Sequence, residues 1–336
     1  MSPSAPITIL WFFVEYFCKL LACMAGRDVT MITLTKIREL NLADTGVAGM
    51  PPHVSAASGL AHTGASLYVV ADDELHLGVF NAAGNAPGGL LRLFDGELPT
   101  EKKARKKQKP DLEAITQLPP FGDCPNSALL ALGSGSKRNR CRGALLRLDA
   151  RGIINGAPRL LDASPLLEEL ERHCPALNIE GAVVIGDELR LLQRANKKHP
   201  QNAIVRYPLF AILDALATGA VIGAIAPAAI DVVDLGAIDG IPLSFTDGAS
   251  LPDGAMVFTA VAEDTEDTYN DGACLGAAIG VVARDGTVRL LEHLEECHKL
   301  EGVAARLDNN VVELLLVTDA DDPAIPANLF SATLPA

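Results

Sequence analysis

Aromatic side chains are scarce in this chain. Phe, Trp and Tyr together make up 4% of its 336 residues, although 49% of the residues are hydrophobic. Ala, Leu, Val and Gly must therefore fill the interior, which predicts tight packing and frequent turns. The length suggests about two average domains, but all-β barrels and propellers exceed that size as single units.

Basic residues are also fewer than acidic ones. The chain has 28 Lys and Arg residues against 42 Asp and Glu residues, a net charge of −14. A nucleic-acid partner is excluded, because binding the phosphate backbone needs a basic face. Most of the clustered basic residues lie in two stretches, 102–109 and 137–142. We interpret the first stretch as a solvated loop.

No pair of cysteines has the spacing of a metal site or of a redox motif. Cysteine occurs seven times, at positions 18, 23, 124, 141, 174, 274 and 297, without any Cys-x-x-Cys. The odd count and the low density predict reduced, unpaired thiols in a reducing compartment, and therefore favour a cytoplasmic location.

Signals for membrane insertion or secretion are weak. Residues 7–23 form an apolar stretch, but they include Glu15 and Lys19, which is a poor composition for a spanning helix. Residues 1–6 contain no Lys or Arg, which a signal peptide needs. We expect residues 1–30 to be an extension outside the fold, followed by one domain at 31–336, with no stable membrane span. A periplasmic or secreted location is the alternative if residues 1–30 act as a targeting segment.

What the chain does contain is a repeated strand opening. Four short apolar runs begin with an acidic residue followed by a small one, and a fifth has Ser in the acidic position. The pairs are Ser58-Gly59, Glu113-Ala114, Glu180-Gly181, Asp247-Gly248 and Glu301-Gly302. Their near-regular recurrence predicts copies of one supersecondary unit.

Strand-like runs and turns follow each of these openings. Gly186-Asp187 and Asp285-Gly286 are typical hairpin turns between such runs. Repeated four-stranded units predict an all-β fold, a single β-propeller with five blades favoured and six as the alternative. The alternating segment 30–42 would pair with the last unit and close the ring. Short helices are expected only in connections, at 165–173 and 209–216.

The openings around Glu113, Glu180 and Glu301 resemble those of the esterase-like phytase propellers. Residues 33–335 resemble more closely a group of bacterial propeller proteins of that type that have no assigned activity. The resemblance implies five or six blades with the functional face at the central channel. It does not carry a phytase or esterase activity with it, because one fold hosts many functions.

The innermost strand of each propeller blade lines the axis, so the four acidic residues of the openings are predicted to converge at one mouth of the channel. Crowded carboxylates repel, and Ca²⁺ or Mg²⁺ would neutralise them through oxygen ligands. Basic neighbours could neutralise them instead, and a purely structural role in capping turns is equally open. Further acids end the second strand of three units and could add oxygens: Asp72, Asp73, Glu263, Asp264, Asp319, Asp321 and Asp322.

These observations predict a hydrolase-like propeller acting on a small anionic ester, either a phosphoester or a lactone. The expected catalytic residues are Glu113, Glu180 and Glu301. The expected metal ligands are Glu113, Glu180, Asp247 and Glu301. The expected anion-binding residues are Lys109, Arg138, Arg194 and Lys299. The alternative is a non-catalytic propeller that binds a ligand or a protein at the channel face. The sequence leaves the substrate and the oligomeric state open.

Overall fold

The structure, a computed structural model, describes residues 31–46, 50–195, 199, 201–264 and 274–335. Chain contacts divide the protein into Met1–Met31 and Ile32–Ala336. The second unit is a β-propeller of five blades. None of the helices in the described ranges is both long and apolar enough to cross a membrane.

The strands are numbered β1 to β22 along the chain, and β1 (Met31–Ile32) and β2 (Thr35–Glu39) precede the first complete blade. Blade 1 contains β3 (Ala57–Thr63), β4 (Ser66–Ala71), β5 (His76–Asn81) and β6 (Gly89–Arg92). Blade 2 contains β7 (Leu112–Leu118), β8 (Ser127–Gly133), β9 (Arg142–Leu148) and β10 (Arg159–Asp162). Blade 3 contains β11 (Ile179–Ile185), β12 (Glu188–Gln193), β13 (Asn202–Pro208) and β14 (Ala229–Val233).

Blades 4 and 5 are completed by the first strands of the chain. Blade 4 contains β15 (Ala237–Ile238), β16 (Ile241–Ser250), β17 (Met256–Glu263), β18 (Cys274–Val282) and β19 (Val288–Leu294), with β1 beside β19. Blade 5 contains β20 (Leu300–Asp308), β21 (Val311–Thr318) and β22 (Asn328–Pro335), with β2 antiparallel to β22. The predicted closure of the ring by the N-terminal strand is confirmed.

The interior consists of five apolar clusters, and each fills the space between two neighbouring blades. Leu129 and Leu130 are consecutive in β8, and because strand side chains alternate they enter the clusters on opposite sides of blade 2. Phe245 and Phe258 pack edge to face between blades 3 and 4, with ring centroids 5.2 Å apart. Burial on both faces explains why these strands are continuous apolar runs.

The described α-helices are α1 (Lys102–Gln108), α2 (Ser164–Glu171) and α3 (Leu209–Thr218). The expectation of a solvated loop at 102–109 was wrong, because Glu101 caps α1 by accepting hydrogen bonds from the backbone N–H groups of Lys103 and Ala104. The other two helices lie where the sequence predicts them. However, α3 connects two strands of one blade rather than two blades.

Candidate functional site

Each inner strand carries a β-bulge at its opening. The pairing of the inner strand with the second strand of its blade skips one residue. The skipped residues are Ser58, Glu113, Glu180, Thr246 and Glu301. A bulge leaves its extra residue outside the ladder and re-aims the side chain. The repeated motif of the sequence is therefore a repeated bulge, and in three blades the re-aimed side chain is a glutamate.

Asp247 does not occupy the bulge position, which corrects the sequence-based alignment. Thr246 is the skipped residue of β16, and Asp247 pairs with Thr259 one step further along. The equivalent residues of the other inner strands are small: Gly59, Ala114, Gly181 and Gly302. Aligning the acidic residues of the openings places Asp247 with the glutamates. The hydrogen-bonded pairing of the strands instead places Thr246 there and Asp247 one residue later.

The inner strands come very close together at this small-residue position. A Cβ atom added to Gly59 would lie 2.7 Å from the carbonyl oxygen of Glu113, and one added to Gly302 would lie 2.9 Å from the backbone nitrogen of Leu60. Glycine is needed there because the backbones of neighbouring blades leave no space for a side chain.

Asp247 fills the remaining space at the axis. Its side chain is fully buried, its Oδ1 lies 3.1 Å from the place where a Cβ of Gly181 would be, and its Oδ2 accepts a 2.9 Å hydrogen bond from Val303 N–H. Burial raises the pKa of Asp247 well above its usual range, although the backbone N–H groups of Val303, Gly248 and Leu60 oppose the shift. This carboxyl group is therefore a structural contact between blades and not a ligand open to the mouth of the channel.

Blades 3, 4 and 5 meet in a network of buried charges, which we call the Arg194 cluster. Its members are Glu180, Arg194, Glu263, Lys299, Glu301 and Asp321. The Arg194 guanidinium lies 3.2 Å from Glu180 and also contacts Glu263. The Lys299 ammonium lies 3.5 Å from Glu301, 3.8 Å from Glu263 and 2.7 Å from Asp321. Glu263 thus joins the two cations.

Acids in and beside the Arg194 cluster hold their protons more tightly than usual. Burial raises the pKa of Glu301 to about 8 although Lys299 and Arg194 oppose the shift. Burial likewise raises the pKa of Asp319 to about 8 against the effect of Lys299. The cations stay charged: burial disfavours the charge on Arg194, but Glu180 and Glu301 outweigh that effect and raise its pKa.

Blades 1 and 2 meet in a second network, the Lys109 cluster, formed by Asp72, Lys109, Asp111, Ser134 and Arg140. The Lys109 ammonium contacts Asp72 and lies 2.9 Å from Asp111. The other oxygen of Asp111 accepts hydrogen bonds from Arg140 at 2.7 Å and from Ser134 at 2.5 Å. Both oxygens of Asp111 are therefore occupied by donors of the protein itself.

Glu113 lies near both clusters and is the exception among the glutamates of the bulges. It is half-buried, and within the described ranges no hydrogen bond or ion pair reaches its carboxyl group. Burial raises the pKa of Glu113 well above its usual range, and the charges of Glu180 and Asp111 raise it further, while Lys109 opposes them in part. A partly accessible carboxyl group with a raised pKa thus lies at the mouth.

The predicted metal set does not fit a metal ion. Glu180 is paired with Arg194, Glu301 with Lys299, and Asp247 with a backbone N–H group. Another group, Asp72, Asp111 and Glu113, has candidate ligand atoms within 4.8 Å of one another. The Lys109 ammonium binds the first two of these carboxylates, so a Ca²⁺ or Mg²⁺ ion would have to displace it. The protein supplies the positive charge that such an ion would bring.

Arg138 is not part of either cluster. It is exposed on a turn of 3₁₀-helix. Hydrogen bonds from Ser164 lower the pKa of Asp162, and the charge of Arg138 contributes less. Arg140, two residues later, is buried and reaches Asp111 instead. The sequence reasoning missed Arg140. The spacing of the basic residues at 138, 140 and 142 did not reveal it, because residues 138–140 form a turn of 3₁₀-helix rather than a strand.

The structure thus brings Glu113, Glu180 and Glu301 to one mouth, where Arg194 pairs with Glu180, Lys299 pairs with Glu301, and Lys109 lies near Glu113 but pairs with Asp72 and Asp111. A separate cavity of about 540 Å³ opens at the other ends of the inner strands of blades 1 and 2, where its lining includes His62, Gln117 and Arg151. That cavity shares no residue with either charged cluster.

The chain belongs to the family described as "Family of unknown function (DUF6929)", which matches residues 53–334. The search of curated proteins found no match. The phytase-like resemblance stays a prediction.

Solved structures with a similar fold include a putative gluconolactonase, with 16% identity and a TM-score of 0.33 over 62% of this chain and 56% of the other. The chain therefore spans little more than half of that protein. A luciferin-regenerating enzyme is similar with 8% identity and a TM-score of 0.36, over 83% of this chain and 77% of the other. An α-L-arabinofuranosidase from Podospora anserina is similar with 12% identity and a TM-score of 0.48, over 91% and 98% of the two chains.

Proposed function

We propose that the mouth containing Glu113, Glu180 and Glu301 is a hydrolytic site for a small ester. The observation that supports this proposal is the state of Glu113, a half-buried carboxyl group that pairs with no residue in the described part of the chain and whose pKa lies well above its usual range. A carboxyl group that keeps its proton near neutral pH can act as a general acid.

Glu180 is the matching base. The Glu180 carboxylate is paired with Arg194 at 3.2 Å. Among the neighbouring charges, Glu180 raises the pKa of Glu113 the most. Burial raises the pKa of Glu180 too, but Arg194 and Lys299 oppose that shift, so Glu180 is the group of the pair that would act as the base. Two neighbouring carboxyl groups whose environments separate their pKa values are the usual arrangement for acid–base catalysis. Glu180 would take a proton from the attacking water, and Glu113 would give its proton to the leaving oxygen of the ester.

The balance of charges at the mouth favours a substrate whose reacting group is uncharged. Carboxylates outnumber cations there, and Lys109, Arg194 and Lys299 already hold carboxylates of the protein. A phosphoester would have to break these ion pairs to find a partner. Of the two substrate classes that the sequence suggests, the geometry favours the lactone, which carries no charge on its reacting group. The lysines supply the positive field, so we propose hydrolysis that needs no added metal.

The test is a hydrolysis screen of the full-length protein with lactones, aryl esters and aryl phosphates, with and without a chelator. We expect lactone hydrolysis that survives the chelator and falls about 100-fold or more in Glu113→Gln. Glu97→Gln changes an exposed acid outside both clusters and should leave the rate unchanged. Loss of turnover in the chelator would contradict the metal-free reaction, and equal rates in wild type and Glu113→Gln would remove Glu113 from it.

A second candidate is a non-catalytic propeller that binds a ligand or a protein at the same face. The saturation of both clusters by internal ion pairs favours it, since such carboxylates can be purely structural. Absence of turnover on all three substrate classes, with a melting temperature that the chelator leaves unchanged, would support this candidate over the hydrolase.

A further inference from the structure

Two free cysteines lie side by side at the edge of the Arg194 cluster. Cys274 is the first residue of β18, and Cys297 lies in the segment between β19 and β20. Their Sγ atoms are 3.2 Å apart, and the Cys297 thiol also lies 3.2 Å from the carbonyl oxygen of Cys274. The pair is not bonded in this structure.

The two thiols differ in accessibility, as an attacking and a resolving cysteine would. Cys297 is exposed, so a small disulfide reaches it from solvent, whereas Cys274 is half-buried behind it. Burial and the adjacent Cys297 raise the pKa of the Cys274 thiol to about 12. The other described cysteines are buried and none lies beside another thiol: Cys124, Cys141 and Cys174. The pair is therefore the part of the described chain where thiol exchange is expected.

The segment that holds Cys297 leads directly into the charged mouth. Lys299 follows two residues later and holds Glu301 and Asp321, at 3.5 Å and 2.7 Å. A disulfide needs the two sulfur atoms at about 2.05 Å, so closing the present gap takes a movement of roughly 1 Å. Segment 295–297 is exposed and none of its side chains belongs to an apolar cluster, whereas Cys274 packs against one, so Cys297 is the member of the pair that would move.

We propose that Cys274 and Cys297 are a reversible disulfide site, closed by exchange with a small-molecule disulfide, that fastens the segment preceding Lys299 to β18. The Cys297 thiolate attacks a small disulfide such as oxidised glutathione and releases one thiol. Cys274 then loses its proton, attacks the Cys297 sulfur of the mixed disulfide and displaces the second thiol. The cysteines lose two electrons, the small disulfide gains them, and the two protons end on the released thiols.

The experiment equilibrates the full-length protein in glutathione buffers of graded oxidised fraction, traps free thiols by alkylation and maps the peptides by mass spectrometry. We expect a Cys274–Cys297 cross-linked peptide in oxidising buffer that returns to two alkylated cysteines after dithiothreitol. Cys124→Ser should keep the cross-link as the matched control, and Cys297→Ser should abolish it. Full alkylation of both cysteines in oxidised glutathione, or a stable glutathione adduct on Cys297, would overturn the proposal.

Hydrogen exchange tests the second half of the proposal. Closing the bridge should slow amide exchange in 295–299 at least threefold and raise the melting temperature by about 5 °C, because the cross-link constrains the unfolded chain. Unchanged exchange in a protein whose cross-link has been mapped would show that the bridge does not fasten this segment. Neither measurement depends on turnover, so the result stands apart from the proposed hydrolysis.

Discussion

The Asp247 carboxylate accepts a 2.9 Å hydrogen bond from the backbone N–H of Val303, and this contact joins the inner strands of blades 4 and 5 at the propeller axis. Four of the five inner strands have glycine or alanine at the level of Asp247, because neighbouring backbones crowd the axis there. The Asp247 side chain occupies the space that remains at the axis, and its oxygen accepts the hydrogen bond that the buried Val303 N–H group needs.

The first prediction separates the charge of Asp247 from its hydrogen bond. Asp247→Asn keeps an oxygen acceptor for Val303 without a buried charge, so it should change the free energy of unfolding by less than about 1 kcal/mol. Asp247→Ala leaves the Val303 N–H unpaired and opens a void, and should cost about 2–3 kcal/mol. Denaturant unfolding of the two variants measures the difference. Equal losses in both would mean that the hydrogen bond is not what this residue contributes.

The second prediction concerns the crowding at the axis. Gly302→Ala would place a Cβ 2.9 Å from the Leu60 nitrogen and 2.6 Å from a methyl group of Val317, so blades 5 and 1 would have to separate. We expect a loss of about 1–3 kcal/mol in unfolding experiments. The matched control is Gly89→Ala, in a strand where a Cβ meets nothing within 4 Å. A stable Gly302→Ala protein would contradict the close approach of the inner strands.

The third prediction concerns the cation at the centre of the Arg194 cluster. Arg194→Met leaves Glu180 and Glu263 buried without their shared partner, which should cost about 3–5 kcal/mol. Adding Glu180→Gln removes the charge that Arg194 neutralises in blade 3 and should recover part of the loss, as a double-mutant cycle would show. Arg151→Met, at a side chain that is 79% exposed, should change stability by less than about 0.5 kcal/mol.

The fourth prediction follows from the raised pKa of Glu301, which is about 8 in the folded protein against 4.5 ordinarily. An acid with a raised folded pKa stabilises the fold fully below its unfolded pKa, and that contribution is lost as the pH rises through the folded pKa. The stability of the wild type should therefore fall between about pH 5 and pH 8. Asp73 and Asp319, with pKa values raised to about 7 and about 8, act in the same direction.

Glu301→Gln isolates the contribution of that one carboxyl group. The amide cannot ionise, so the stability of the variant relative to wild type should rise with pH, by up to about 1.4 kcal/mol for each unit between pH 5 and pH 8. Unfolding curves at four pH values measure the slope, with Glu97→Gln as the exposed control. Parallel curves for the wild type and Glu301→Gln would show that Glu301 titrates normally.

Much of the architecture could be predicted from local signals. The openings at Glu113, Glu180 and Glu301 recur because every blade starts its inner strand with the same bulge. A backbone feature that repeats in each blade produces a sequence motif that repeats along the chain. Continuous apolar runs such as β8 also follow from burial on both faces of a blade. Glu101 is a local signal for the start of α1, but the run of basic residues after it favours a solvated loop when only the composition is considered.

The pairing of charges could not be predicted in this way. Arg140 reaches Asp111, and Lys299 reaches Asp321, because loops of different length carry these side chains back to the mouth. Asp247 is acidic like the glutamates of three bulges, but it lies one ladder step further along its strand, where its carboxyl group accepts a hydrogen bond from a backbone N–H of another blade.

The amino-acid order thus predicts a propeller, with five blades favoured over six, and the repeated strand openings, since these are patterns of neighbouring residues. It also predicts the closure of the ring, through the alternating segment at 30–42. Which carboxyl groups are neutralised, and why Glu113 forms no ion pair with any described residue although Lys109 lies near it, follow from contacts between blades. Those contacts join residues that are far apart in sequence, and the burial that shifts their protonation exists only after the five sheets have assembled around one axis.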